Sequence, residues 1–453
     1  MERMRGWRGL GLAGAAVLLT GCATPSGAPF RERHETARED LHAAADAVHP
    51  SETAEDLVSI DGYLKRAFSE NPKLRAAFDR WQAAMERIPQ ARSLEDPTLS
   101  SEYFIEQMDA RYQANLTQAF PVFGTRRLRE GRAEAEAREA LHAFEAERLE
   151  LFGNVIRSVH EYVYLERATA IAEENLRLFE DLEQVVDERY RSGTATLGDL
   201  ARAQIERERL ADRLAALRDQ RGAQSAGLAA LLNLPADGPL PWPQVSHSGP
   251  ASIDEAFLAG LLADLNPELK AAESGIDAAR KGRELARRSG WPALMLGGGW
   301  MAMPGEGGRG DELDASVMAG VSLPIWRGRV RAEVREADAL LRAATHERDD
   351  MRNRLRAELG MAVFQFRDAG RRVDLFRNSL IPRAEMGLAA ERQAYAAGKA
   401  DFAALIEAHG TVLEFRLMAE RAAADREIAL GDIGCCVGLY DVQGEIRKGR
   451  EGL

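Results

Sequence analysis

The chain is poor in several things that mark compact enzymes and small secreted domains. Only three of its 453 residues are cysteine, too few for a disulfide framework or a zinc cluster. Aromatic residues make up 6% and there are 17 prolines, which leaves Ala, Arg, Glu and Leu to dominate, a composition of long helices and not of a β-sandwich. Lysine occurs at six positions among 60 basic residues. With a net charge of -12 and no basic stripe in the sequence, phosphate neutralisation has little to work with, and nucleic acid is not expected as a partner. Beyond the first two dozen residues there is no apolar run of about 18, so no helical membrane span is expected. The eight histidines are scattered. His34, His42 and His49 lack the three- or four-residue spacing that puts two ligands on one helix face. No nucleophile-and-base arrangement is present, so neither an enzyme nor a cofactor or metal site is expected.

What is present begins with the N-terminus. Arg3, Arg5 and Arg8 precede the apolar stretch Leu10–Leu19, and Thr20-Gly21-Cys22 follows. A basic head, a short apolar segment and small residues form a secretory signal, expected here over residues 1–21. Residues 22–52 then read as a polar tether.

The remaining chain repeats itself. Glu70-Asn71-Pro72-Lys73-Leu74-Arg75-Ala76-Ala77 recurs as Leu265-Asn266-Pro267-Glu268-Leu269-Lys270-Ala271-Ala272. Gln118–Gly124 (QAFPVFG) recurs as Val321–Arg327 (VSLPIWR), and the turn around Tyr190 and Gly193 recurs around Tyr395 and Gly398. Three matches in one order at nearly constant spacing imply an internal duplication. The halves are expected at 53–240 and 241–440, with a tail at 441–453. Their seam is Leu234–Pro243, rich in proline and closed to a helix.

Each half predicts one order of elements. A helix of roughly 25 residues starts at the Asn-Pro, where proline fits the first turn. Two β-stretches follow, near Thr98–Ile105 and Arg111–Phe120 in the first half and near Ala293–Ala302 and Leu313–Leu323 in the second. Tyr112, Ala114, Leu116, Gln118 and Phe120 alternate on one side. Long helices are then predicted over about 125–191 and 327–395, each roughly 100 Å at a rise of about 1.5 Å per residue. Phe152, Ile156, Val159 and Val163, then Leu178, Leu182 and Val185, and Leu355, Leu359, Ala362 and Phe366 step by threes and fours, the seam of a coiled coil. Return helices are expected over about 196–233 and 401–437.

Four strands cannot close a barrel, because known transmembrane barrels have eight or more. An open edge in lipid leaves backbone groups unsatisfied, so several chains would have to pool their strands. Eight strands fill with their own side chains, whereas twelve enclose a path, which favours three chains. Met295, Trp300, Met301 and Met303 fit a lipid-facing strand, and Met108, Met295, Met301 and Met303 are also candidate contacts for soft metal ions. Cys435 and Cys436 are adjacent and read as buried thiols.

Taken together, Leu19-Thr20-Gly21-Cys22, the duplicated Asn-Pro helix starts, the hairpins, the Phe-Pro-Val-Phe-Gly and Leu-Pro-Ile-Trp-Arg-Gly strand exits and the Tyr-x-x-Gly turns resemble the TolC-like outer-membrane efflux proteins. The likeness covers roughly residues 55–440. The phrases Asn71-Pro72-Lys73-Leu74 and Asp96-Pro97-Thr98-Leu99 look nearest to its heavy-metal cation branch. The resemblance implies a mainly α fold with a small β part: a homotrimer in which antiparallel coiled-coil helices form an α-barrel and two β-hairpins per chain build a twelve-stranded transmembrane β-barrel. It implies lipidation at Cys22 after signal cleavage, and Ala23 implies sorting to the outer membrane. It implies a passive channel that docks a periplasmic adaptor and an inner-membrane pump of the RND type. The docking turns would be Tyr190, Gly193 and Thr196, and Tyr395, Gly398 and Asp401. Family members carry gate acids six and nine residues after the second-half glycine, here Ala404 and Glu407, so the gate candidates are Asp199, Asp401 and Glu407. The rival is a lipid-anchored periplasmic coiled-coil scaffold or adaptor, which would have no need of two equivalent β-hairpins.

Overall fold

The computed structural model describes residues 59–105, 112–236, 238–245, 253–304, 311–441 and Gly444. Cys22, the signal, the tether with its histidines, and Met108 lie outside these residues. In the first half, α1 (Ile60–Glu70) and α2 (Pro72–Arg92) lead to β1 (Thr98–Tyr103) and β2 (Tyr112–Phe120), then to α3 (Thr125–Arg191) and its return α4 (Leu197–Leu231). The second half repeats the order with α5 (Glu255–Leu265), α6 (Pro267–Arg288), β3 (Ala293–Pro304), β4 (Asp311–Ser322), α7 (Arg327–Leu375), α8 (Ile381–Ala396) and α9 (Phe402–Val437). The sequence reading lacks α1 and α5, helices of 11 residues that end just before each Asn-Pro. Proline disfavours the helical region for the residue before it. Asn71 (ψ 121°) and Asn266 (ψ 124°) therefore break the chain between two helices.

Those two asparagines close each half on itself. Asn71 Oδ1 accepts from the Leu74 amide at 3.1 Å, and its Nδ2 donates to the Leu231 carbonyl at 3.0 Å. Asn266 Oδ1 accepts from Leu269 N at 3.1 Å, and its Nδ2 donates to Cys436 O at 3.0 Å. One buried amide thus serves an orphan donor at the start of a short helix and a carbonyl in the last turn of the returning long one. Aspartate would cap equally well but could not donate. The seam between the halves is also fixed: the Tyr162 hydroxyl donates to Leu240 O at 2.7 Å, and Trp242 packs on the Tyr162 ring.

The long helices bury the expected upper stripe, with Phe152, Ile156, Val159 and Val163 inside, as are Leu355, Leu359, Ala362 and Phe366. Lower down α3 the prediction fails by one residue. Leu178 and Val185 stay 38% and 46% exposed, and Phe179 and Val186 are buried instead. A straight α-helix drifts by about 20° per heptad against a 3.5-residue repeat. By this depth the contact with Leu210 of α4 and Leu413 of α9 falls on Phe179. The single helix expected over 327–395 is also interrupted, by a π turn at Phe376–Leu380. Pro382 offers no N–H and its ring clashes with the carbonyl four residues back. The Ile381 amide accordingly reaches Phe376 O, five residues back.

The four strands form one antiparallel sheet in the order β1-β2-β3-β4. Phe120 pairs with Leu294, Leu116 with Gly298 and Ala114 with Trp300, while Val317 pairs with Gly298 and Val321 with Leu294. Partners across a ladder share a face. One face therefore carries Leu99, Tyr103, Tyr112, Leu116, Phe120, Leu294, Leu296, Trp300, Leu313, Val317 and Val321. The other carries Glu102, Gln113, Asn115, Thr117, Asp314 and Ser316. Met295 and Met301 lie on this polar face, opposite Trp300, which corrects their expected lipid-facing role: strand side chains alternate, and these two are out of phase with the tryptophan. The Met303 side chain lies outside the described residues. Among those residues no helix is long and apolar enough to cross a membrane.

Replacing Asn71 or Asn266 by alanine is expected to cost about 1–2 kcal/mol each through the lost cap, with the greater loss at the more deeply buried Asn266. Asn266→Asp should recover only part of it. Thermal unfolding followed by helical circular dichroism checks this; equal melting of all variants would contradict the clamp.

Candidate functional site

The candidate site is the pair of turns joining α3 to α4 and α8 to α9. Helix termination builds both in the same way. Gly193 (φ 75°) and Gly398 (φ 69°) take the left-handed conformation that glycine adopts without a Cβ penalty. Thr194 N donates to Arg189 O and Lys399 N to Ala394 O, each at 2.8 Å, closing the two helices with the same reversal. No atom lies within 4 Å of a Cβ built on either glycine. Backbone conformation, and not crowding, selects glycine here.

The restarts differ. Thr196 caps α4 and forms a reciprocal box with Asp199: the Asp199 amide donates to Thr196 Oγ1 at 3.1 Å, and the Thr196 amide donates to Asp199 Oδ2 at 3.0 Å. The Thr196 hydroxyl donates to the same carboxylate oxygen at 2.7 Å. Asp199 thereby has a structural task that the first-half turn requires. Asp401 stands at the N-cap of α9 but makes no side-chain cap bond, and it is widely exposed. Its Oδ2 lies 3.9 Å from Arg202 Nη1 of α4, a loose ion pair across the two turns. Glu407 is exposed nearly two turns further along α9.

The turns are held side by side by what lies just above them. Val186, Ala203, Leu388, Phe402, Leu405 and Val412 form one buried cluster drawn from α3, α4, α8 and α9. The Arg189 guanidinium sits 4.6 Å from the Tyr395 ring centroid, and Tyr395 packs on Phe402. Tyr190 remains 41% exposed. Sequence reading named Tyr395 for its place in the repeat but missed its cation–π partner Arg189, which no spacing rule connects to it. It also missed the charged ladder above. Glu420 of α9 lies between Arg167 of α3 (2.7 Å) and Arg377 of the π turn (3.0 Å). Arg416 spans Glu385 (2.8 Å) and Glu174 (3.4 Å), tying α9 to α8 and α3.

No group of three or more His, Cys, Asp or Glu able to hold a metal occurs among the described residues. Burial pushes the thiols of Cys435 and Cys436 up to about 12, which makes both poor nucleophiles. They are free, and Cys435 Sγ points at Leu149 O.

His409 supplies a pH-dependent element beside the cluster. It is 5% exposed and packs edge-on to Phe179, and its Nε2 accepts from Arg392 Nη2 at 3.2 Å. Burial, and then the Arg392 charge, push its pKa from 6.5 down to about 4. The unfolded chain takes up this proton below about 6.5, the folded chain only near 4. Stability therefore falls as the pH drops from 6.5 to 4 and owes nothing to this group above that window. Melting temperatures of His409→Gln across this range should decline less than those of the parent; parallel curves would contradict the assignment.

Comparison with known proteins agrees with this fold. The family model for outer membrane efflux proteins matches residues 63–234 and 258–433. Protein CyaE of Bordetella pertussis is 26% identical over 323 residues, covering 64% of this chain and 67% of CyaE. The pyoverdine export outer membrane protein OpmQ of Pseudomonas putida is 27% identical over 259 residues, covering 52% of this chain and 51% of OpmQ, so the match spans about half the length of that relative. The crystal structure of the outer membrane protein VceC from Vibrio cholerae superposes with a TM-score of 0.71 at 16% identity, over 84% of this chain and 97% of VceC. Both model matches fall on the two halves of the duplication, one on each, and the chain belongs to the outer membrane efflux protein family.

Proposed function

We propose that this chain, an outer-membrane efflux channel subunit by family and fold, works as a homotrimer whose twelve pooled strands close a barrel and whose helices continue it as a tunnel through the periplasm. The carrying observation is the sheet: one face apolar, one polar, and both edge strands, β1 and β4, without a further partner among the described residues. Twelve residues of β4 span about 40 Å along the strand, and a tilt of about 45° reduces this to roughly the apolar band of an outer-membrane barrel. Tyr103, Tyr112 and Trp300 cluster toward one end of the apolar face and Phe120 and Phe123 toward the other, as expected of interfacial girdles. Apolar side chains left open on the helices support assembly: Phe364 and Met361 are each 57% exposed and Met386 66%. A tethered coiled-coil scaffold would require none of these strand features.

In this reading residues 1–21 are the signal, Cys22 carries the lipid, 22–52 is the tether, and 441–453 is a tail behind the two repeats. Tyr190, Gly193, Thr196, Tyr395, Gly398 and Asp401 form the mouth that receives a periplasmic adaptor, behind which stands an inner-membrane pump of the RND type. Asp401 and Glu407 are the acids free to ring that mouth, because Asp199 is spent on its cap. Three copies of each around a constriction favour cations. The polar face of the sheet also carries thioethers at Met295, Met301 and Met318, with Met301 paired across the ladder to Asp314, a lining suited to soft metal ions, which supports export of metal cations. The channel itself moves its cargo passively.

Planar bilayers holding the purified chain should show stepwise cation-selective conductance, with selectivity weakened in Asp401→Asn/Glu407→Gln. A folded protein without conductance would contradict the reading. Palmitate labelling should vanish in Cys22→Ala; retained label would remove Cys22 as the anchor.

A further inference from the structure

The charge of this acidic protein is not evenly spread. Residues 121–132, at the start of α3, contain four Arg and one Glu; residues 323–335, at the start of α7, contain four Arg and one Glu; residues 283–292, at the end of α6, contain three Arg and one Glu. The fold brings these distant segments together where the helices meet the sheet. Arg288 Nη1 donates to Phe123 O at 2.6 Å, joining α6 to the entry of α3. Arg126 Nε donates to Arg92 O at 2.9 Å, joining α3 to α2, and Arg327 Nη1 donates to Gly290 O at 3.3 Å, joining α7 to α6. A continuous basic collar results, although no stretch of sequence reads as a basic stripe.

Much of its charge is left over. Four of its arginines are paired: Arg129 lies 3.6 Å from Glu95, Arg132 2.8 Å from Glu136, Arg283 2.6 Å from Asp338 and Arg329 2.8 Å from Glu333. Arg127, Arg287 and Arg331 are exposed and make no ion pair among the described residues. Beside them stand large apolar side chains in the open: Phe123 at 99%, Trp326 at 74%, Ile325 at 68% and Trp291 at 65% exposed. They continue the apolar face of the sheet, whose last side chains at this end are Phe120, Leu294 and Val321. An aromatic belt followed within one or two helical turns by unpaired guanidinium groups has the layered polarity of a membrane interface: hydrocarbon, headgroup carbonyls, phosphate.

We propose that this collar binds the headgroups of anionic phospholipids in the leaflet that faces the helical part of the molecule, and so fixes the depth and orientation of the channel. The proposal rests on the membrane reading of the strands. It adds a lipid class and the residues that select it. Guanidinium groups offer forked donors that match phosphate oxygens, and their low cost of desolvation suits the headgroup layer. A zwitterionic headgroup returns a positive charge to the same place and gains less.

The test uses the full chain and a triple variant Arg127→Gln/Arg287→Gln/Arg331→Gln, chosen because none of the three makes an ion pair among the described residues. Each is reconstituted into vesicles of phosphatidylcholine alone and into vesicles containing phosphatidylglycerol, re-extracted in mild detergent, and the retained lipids are counted by native mass spectrometry. The parent should retain phosphatidylglycerol over phosphatidylcholine by at least about threefold, a preference that falls toward unity in the variant and in high salt, while both proteins insert equally. Equal retention of the two lipids by the parent, or an unchanged preference in the variant, would overturn the collar and leave the channel reading standing. Failure of the parent to enter either vesicle would overturn the membrane reading and the collar with it. A preference lost together with the oligomer would assign the three arginines to contacts between copies instead.

Discussion

An unpaired backbone amide or carbonyl in hydrocarbon costs several kcal/mol, and a four-stranded sheet has two edges full of them. That constraint governs this molecule. β1 presents six residues and β4 twelve along open edges, flanked by an apolar face that no part of the described chain covers. Neither edge can remain bare in lipid, and four strands cannot curl onto themselves. On the proposed reading the sheet is a fraction of a barrel, and the chain a fraction of a channel. The alternation of side chains across the sheet, the aromatic residues at its two ends and the apolar positions left open on the helices all follow once the missing partner is another copy.

The helical part solves a different problem, which is to hold a long wall straight. Asn71 and Asn266 fasten the beginning of each half to its end. From there α3 runs unbroken for 67 residues, while its counterpart in the second half is split by the π turn before Pro382. The two halves are alike in order but not in the continuity of their long helix. Across that break Glu420 and Arg416 link α9 back to α3 and α8, so the tip formed by α8 and α9 is carried on ion pairs in addition to its apolar cluster.

Much of this was legible in the sequence because the signals were local. Proline after Asn71 and Asn266, glycine at 193 and 398, and stripes spaced by threes and fours fixed the helices to within a few residues. The alternation of Tyr112 to Phe120 marked the strand and its apolar side correctly. What was hidden depends on tertiary register. Leu178 and Val185 carry the right spacing, but helix drift brings Phe179 and Val186 to the contact. Met295 and Trp300 are both apolar, yet only the ladder register shows that they face opposite ways. The short helices α1 and α5 precede a break that looked like a beginning. The arginines of the collar lie more than 150 residues apart in part, at 127 and 287, and only the fold sums their charge. Asp199 is a gate candidate by its distance along the chain from Gly193, a distance that says nothing of the box it forms with Thr196.

The central claim is that strands from three chains complete one barrel. The mass of the native particle, extracted from outer membranes in mild detergent without heating, addresses this directly. Three copies, dissociating to a single chain only when the barrel is melted, is the predicted result. A particle of one copy with its sheet intact would contradict the account, because its strand edges would then have to be satisfied in some way other than by its own kind.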